Sequence, residues 1–161
     1  MPDPLFREID AADSRALLER QHVGRLAFLD HTRVDIEPLH YVYLGDWIFC
    51  RTTEGTKTHA LRHTPYVAFE VDEVRGVFDW TSVVARGTVY FLPDVGAPVD
   101  EAQYQRAVTA LRRFLPETFA EGDPTPFRTL VFGIHVDEIT GRAAAATAAS
   151  TPVRRRTKPA R

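Results

Sequence analysis

Apolar and polar positions alternate with a period of two through most of the middle of the chain. That alternation predicts strands at 25–29, 34–44, 47–52, 66–72, 78–92 and 127–139. In the second of these, Val34, Ile36, Pro38, His40 and Val42 share one face. Asp35, Glu37, Leu39, Tyr41 and Tyr43 share the other. Pro38 donates no ladder hydrogen bond, which places it on an edge or at a bulge. DHTR at 30–33 and the Gly45, Asp46 pair read as tight turns, and Gly87 marks a bulge or a close approach within its strand. In the last strand, Leu130, Phe132, Ile134 and Val136 are expected to point inward.

Helical spacing occurs three times. A helix over 10–21 has Asp10 or Asp13 as its N-cap and Leu17 and Leu18 facing inward. A short one follows from Lys57 to His63. In the third, Asp100 is expected as the cap, Gln103 occupies the capping-box position, and Tyr104, Ala107, Val108, Leu111 and Leu115 form one stripe. PDVGAP reads as a linker and 116–126 as a loop. Six strands, mostly joined by short turns and without a βαβαβ rhythm, predict a mainly β chain of the α+β class. Its expected form is a small antiparallel barrel with flanking helices.

Composition changes this picture little. The 161 residues are 44% hydrophobic and 26% charged, enough for one globular domain with its own core. Cys50 is the only cysteine, which excludes an internal disulfide framework and suits a cytoplasmic protein. No apolar run approaches a membrane span, and MPDPLFREID, acidic and broken by prolines, does not read as a signal peptide. Charge is unevenly spread. Arg154, Arg155, Arg156, Lys158 and Arg161 put five positive charges at the end, so a net charge of −2 leaves about −7 for the rest. An acidic body repels duplex nucleic acid, and only the basic tail offers a weak contact to it. The division expected is a domain over 1–142 and a disordered, Ala-rich and basic tail over 143–161.

The candidate chemistry gathers at WIFCRTTEGTKTHALR, 47–62: a strand, a polar loop and a helix start. Arg51, Thr52, Thr53, Gly55, Thr56 and Lys57 bring cations, hydroxyls and free backbone N–H groups to one helix N-terminus, a place suited to phosphate. His59 and His63 have the spacing of a metal pair, but no third ligand is evident, so no metal site is expected. Cys50 beside Arg51 is either an activated thiol or a small buried strand residue.

That stretch, with VGRLAF at 23–28, PLHYVY at 38–43, WTSVVARG at 80–87 and ITGR at 139–142, resembles the flavin-binding split β-barrel proteins related to pyridoxamine 5′-phosphate oxidase. The small branch that includes 5-nitroimidazole-resistance nitroreductases is the nearest in pattern. The resemblance implies a six-stranded antiparallel split barrel, FMN at the interface of a homodimer, and a small-molecule acceptor. Deazaflavin or haem would replace FMN in some relatives. It places Lys57 on the flavin phosphate, with Thr56 where the oxidases carry Arg and Arg51 as the substitute charge. Arg51 and Thr52 would lie beside the ribityl chain. Ile36, Glu37, Pro38 and Leu39 would run under the ring, flanked by Trp80, Ser82 and Val83, with His40 the one candidate proton donor. The Arg/His-rich C-terminal substrate motif of the true oxidases is absent. The implied function is therefore an FMN oxidoreductase taking electrons from a nicotinamide, or alternatively a flavin-binding carrier without turnover.

Overall fold

The computed structural model describes residues 4–93 and 98–146. Its elements, in chain order, are β1 (Pro4–Ile9), α1 (Ala11–Arg20), β2 (Val23–Asp30), β3 (Arg33–Leu44), β4 (Trp47–Thr52), α2 (Thr56–His63), β5 (Tyr66–Gly76), β6 (Asp79–Phe91), α3 (Pro98–Phe114) and β7 (Leu130–Ala146). The sheet runs β1-β7-β4-β3-β2-β5-β6, every pair is antiparallel, and a β6–β7 pairing closes the last six of these strands into a barrel. No helix among the described residues is long and apolar enough to cross a membrane.

The barrel is split because two strands change partners along their length. Residues 130–135 of β7 pair with β4, while 141–146 pair with β1. In β3 only Tyr41–Leu44 meet β4, and Arg33–His40 pair with β2 alone. Pro38 sits in that one-sided half, as its missing N–H requires. Tyr41 N–H donates to the His22 carbonyl at 3.0 Å, so antiparallel alternation turns the odd-numbered backbone groups of β3 toward β2. Even-numbered groups face the open edge. There the Ile36 N–H is taken up by the Asp35 carboxylate at 2.8 Å.

Two apolar cores follow from strand alternation. Inside the barrel lie Leu26, Leu39, Tyr41, Cys50, Phe69, Val83, Phe132 and Ile134, together with Leu17 and Leu18 of α1 and Leu61 of α2. Outside it, α3 packs Ala107, Ala110 and Leu111 over Val42, Phe49 and Val131. Gly87 is at a close approach: a Cβ there would stand 2.0 Å from the His135 carbonyl oxygen, and the β6–β7 register shifts at this point.

Several boundaries differ from expectation. β1 was not foreseen, because PLFREI is short and leaves Leu5 and Phe6 exposed, which hides its pattern. The loop expected at 73–77 is mostly strand, with β5 continuing to Gly76. α3 opens at Pro98, so Asp100 lies in its first turn rather than at its cap. β7 starts at Leu130, which is only half-buried, and continues to Ala146, so 143–146 belong to the sheet and not to a tail. The rest of that tail and most of the PDVGAP linker lie outside the described residues.

Candidate functional site

Gly55 caps α2 without a side-chain acceptor, so the first N–H groups of the helix are not covered by a cap. The loop is locked from behind. Gly55 N–H donates to Thr58 Oγ1 at 2.9 Å, and Glu54 is gripped by Arg62 of the same helix. Thr53, Gly55 and Thr56 are exposed, and nothing lies within 4 Å of where a Gly55 Cβ would be. Lys57 Nζ is 2.6 Å from Glu37 Oε2 on the one-sided half of β3. One uncapped helix start, one lysine and an open strand edge therefore meet at one place.

Arg51 does not join them, and here the expectation is corrected. Cys50 and Thr52 point into the barrel, so Arg51 between them points the other way, beneath α3 and the loop that follows it. Only 7% exposed, it donates to Asp123 Oδ2 at 2.8 Å, the Thr125 carbonyl at 2.6 Å and the Arg128 carbonyl at 3.2 Å, and it lies over the Phe119 ring. Neither Glu54 nor Glu70 is its partner. Arg51 holds the Asp123 carboxyl down to about pH 2, helped by N–H groups of Thr125 and Phe119. Asp123 was missed in the sequence, though Asp-Pro-Thr at 123–125 is a recognisable Asx-turn signal and Thr125 N–H does return to Asp123 Oδ1 at 2.9 Å.

The expected ring slot also divides. Leu39 and Val83 are core side chains inside the barrel, so only their backbones are free to meet a ligand, and Thr52 is buried with them. Ile36, Pro38 and His40 face outward and are exposed. Trp80 and Ser82 also face outward, but on β6, with β2 and β5 between them and β3. They line a cleft of about 680 Å³ together with Glu8, Arg86, Glu138 and Arg142. Ser82 Oγ donates to Glu70 at 2.7 Å, and Arg25 bonds both Glu70 and Asp72.

His40 is not a hydrogen-bonded histidine inside the sheet. It is exposed, and its ring faces Phe114 at 5.6 Å, while His22 stacks on the same phenyl ring at 4.6 Å. Cys50 is fully buried, and burial pushes its thiol pKa up, which leaves the packing role. His59 and His63 lie 5.0 Å apart between ring centres, and no group of three possible metal ligands occurs among the described residues.

Comparison with known proteins places this geometry. The family model described as pyridoxamine 5′-phosphate oxidase matches residues 10–143. The chain belongs to the pyridoxamine 5′-phosphate oxidase family. An uncharacterized protein of Rhizobium meliloti is 24% identical over 148 residues, covering 87% of this chain and 96% of that one. The crystal structure of an FAD-binding protein from Mesorhizobium loti shares 27% identity and a TM-score of 0.70, covering 88% of this chain and 99% of its own. A Bacteroides thetaiotaomicron protein put forward for 5-nitroimidazole antibiotic resistance has the same fold, with a TM-score of 0.67 at 18% identity, covering 88% of this chain and 89% of that chain.

Proposed function

We propose that this member of the family binds a flavin nucleotide, FMN in the first instance, at the interface of a homodimer and serves as an oxidoreductase. The observation that carries the reading is the uncapped start of α2, with Lys57 upon it, in a chain of this family. The FAD-binding relative from Mesorhizobium loti supports a flavin and leaves FAD as the alternative nucleotide.

The residues fit the phosphate end. Lys57 supplies a fixed cation, Thr53 and Thr56 supply exposed hydroxyls, and the first turn of α2 supplies backbone donors. Glu37 opposes it, since its carboxylate occupies Lys57 and would repel a phosphate until it swings aside. Arg51 contributes no direct charge, being held by Asp123. The free edge of β3 leads from α2 to the outer face, where Ile36 and His40 lie.

The dimer reading rests on that outer face. Val34 is 76%, Ile36 62% and Tyr66 72% exposed, large apolar groups on the two strands that flank β2. A second copy laid over this face supplies a Trp80 and Ser82 wall to the β3 edge, which one chain alone cannot do. A bound flavin would supply hydride acceptance and electron transfer. The protein's own part is to orient it, cover it and, through His40, exchange a proton with a small acceptor.

The test is titration of the purified protein with FMN, FAD, deazaflavin and haem, followed by anaerobic NADPH. Bleaching of a bound yellow chromophore supports the oxidoreductase. Binding without reduction supports the carrier, and a colourless protein indifferent to all four ends the reading.

A further inference from the structure

A second cavity, of about 200 Å³, lies on the other side of the split from Lys57. It is enclosed by the C-terminal turn of α3, the loop after it, and the outward face of β3 and β4. Phe114, Leu115 and Pro124 give it apolar walls, and His40 stands on its rim. Arg51 forms part of the floor but is not available to a ligand, since Asp123 and the carbonyls of Thr125 and Arg128 occupy its nitrogens.

Arg128 is different. It lines the same cavity and is half-buried, yet its side chain has no hydrogen bond or ion pair among the described residues. Its backbone is pinned, because its carbonyl accepts from Arg51 Nε and its N–H donates to the Thr125 carbonyl at 3.0 Å. The side chain is thus anchored at its root and unspent at its tip. Asp123, in the same loop, is committed to Arg51 and does not neutralise it. A fork of N–H donors beside a partly dehydrated apolar wall is matched by a carboxylate, which takes two parallel hydrogen bonds from it. One uncompensated cation balances one negative charge, and the apolar walls offer nothing to a second. The space exceeds what a few waters need and corresponds to a single six-membered ring with its carboxylate.

We propose that this cavity is a binding site for a small organic monocarboxylate with a flat apolar body. The ring packs against Phe114, Leu115 and Pro124, its carboxylate is held by Arg128, and its far edge reaches His40. Binding does not depend on a flavin, so it is tested apart from the flavin reading.

Calorimetric titration of the purified full chain with benzoate, benzamide and inorganic phosphate is the experiment. Benzoate is expected to bind at least tenfold more tightly than benzamide, its neutral counterpart, and phosphate not to compete. Arg128→Gln should lose tenfold or more in benzoate affinity at an unchanged Tm. Leu115→Trp, filling the cavity, should abolish binding with the circular dichroism spectrum retained. Lys57→Ala should leave benzoate binding untouched. The proposal is overturned if benzoate does not bind the wild type, if benzamide binds equally well, or if Arg128→Gln binds benzoate as before.

Discussion

Lys57 and Arg51 are six residues apart and carry the same charge, yet they have opposite duties. Lys57 is held by a half-exposed Glu37, a partner that can be exchanged for a ligand anion. Arg51 is in a buried pair that cannot be exchanged without leaving Asp123 uncompensated. Lys57→Ala should therefore weaken FMN binding by about ten- to a hundredfold, the worth of a charge-assisted hydrogen bond, with Tm nearly unchanged. Glu37→Gln should strengthen it, because the competing carboxylate is gone. Fluorescence quenching of added FMN reads both, and tighter binding by Lys57→Ala would refute the phosphate assignment. Arg51→Met should instead lower Tm by several degrees, seen in a thermal melt.

Two arginine–carboxylate pairs tie stability to acid pH. Arg20 holds the Glu73 carboxyl down to about 2, with Gln21 assisting, and Arg51 does the same for Asp123. Both pKa values are lower folded than unfolded. Their stabilisation is complete above the ordinary carboxylate range and is lost as pH falls from there through about 2. Urea midpoints should hold from pH 7 to 5 and then fall toward pH 2. Asp123→Asn should be less stable at pH 7 and show a shallower fall.

At the scale of elements, position is enforced by close approach. α1 is tied to β5 by Arg20 and Gln21 on Glu73, and its Leu17 and Leu18 plug the barrel. β2 passes over Phe69 only because residue 24 is glycine, since a Cβ there would stand 2.2 Å from that ring. At Gly87 the nearest atom is the His135 carbonyl oxygen at 2.0 Å, whereas at Gly24 the backbone contact, with the Glu70 carbonyl, is 2.9 Å and the closer atoms belong to the Phe69 ring. Gly87→Ala should therefore cost more than Gly24→Ala, although both are destabilising. Comparing their chemical denaturation midpoints checks this, and equal midpoints would contradict the ranking. Pro38 belongs to the same account: it is tolerated because β4 pairs with β3 only from Tyr41 onward.

For the whole molecule, the outer face of β3, β2 and β5 is the decisive surface. Val34, Ile36 and Tyr66 are exposed there, while Trp80 and Ser82 have two strands between them and β3. An Ile36→Glu variant should dissociate the proposed dimer in analytical ultracentrifugation and lose flavin affinity in the same sample. A monomeric wild type would remove the interface, and a monomeric variant with full flavin affinity would separate the two.

The period-two pattern was sufficient for six of the seven strands and for placing Leu39 and Tyr41 on the face opposite His40, while the family was legible only in the motifs. Those are local or nearest-neighbour matters, set by which face of a strand is apolar. Strand alternation also held the signal that Arg51 and Thr52 must diverge. What no spacing in the chain could decide is which long-range partner meets each charge. Asp123 comes to Arg51, and Glu37 to Lys57, from 72 and 20 residues away. Closure of the barrel makes those encounters, because it fixes which strands and loops share a rim, and so which carboxylate reaches which cation.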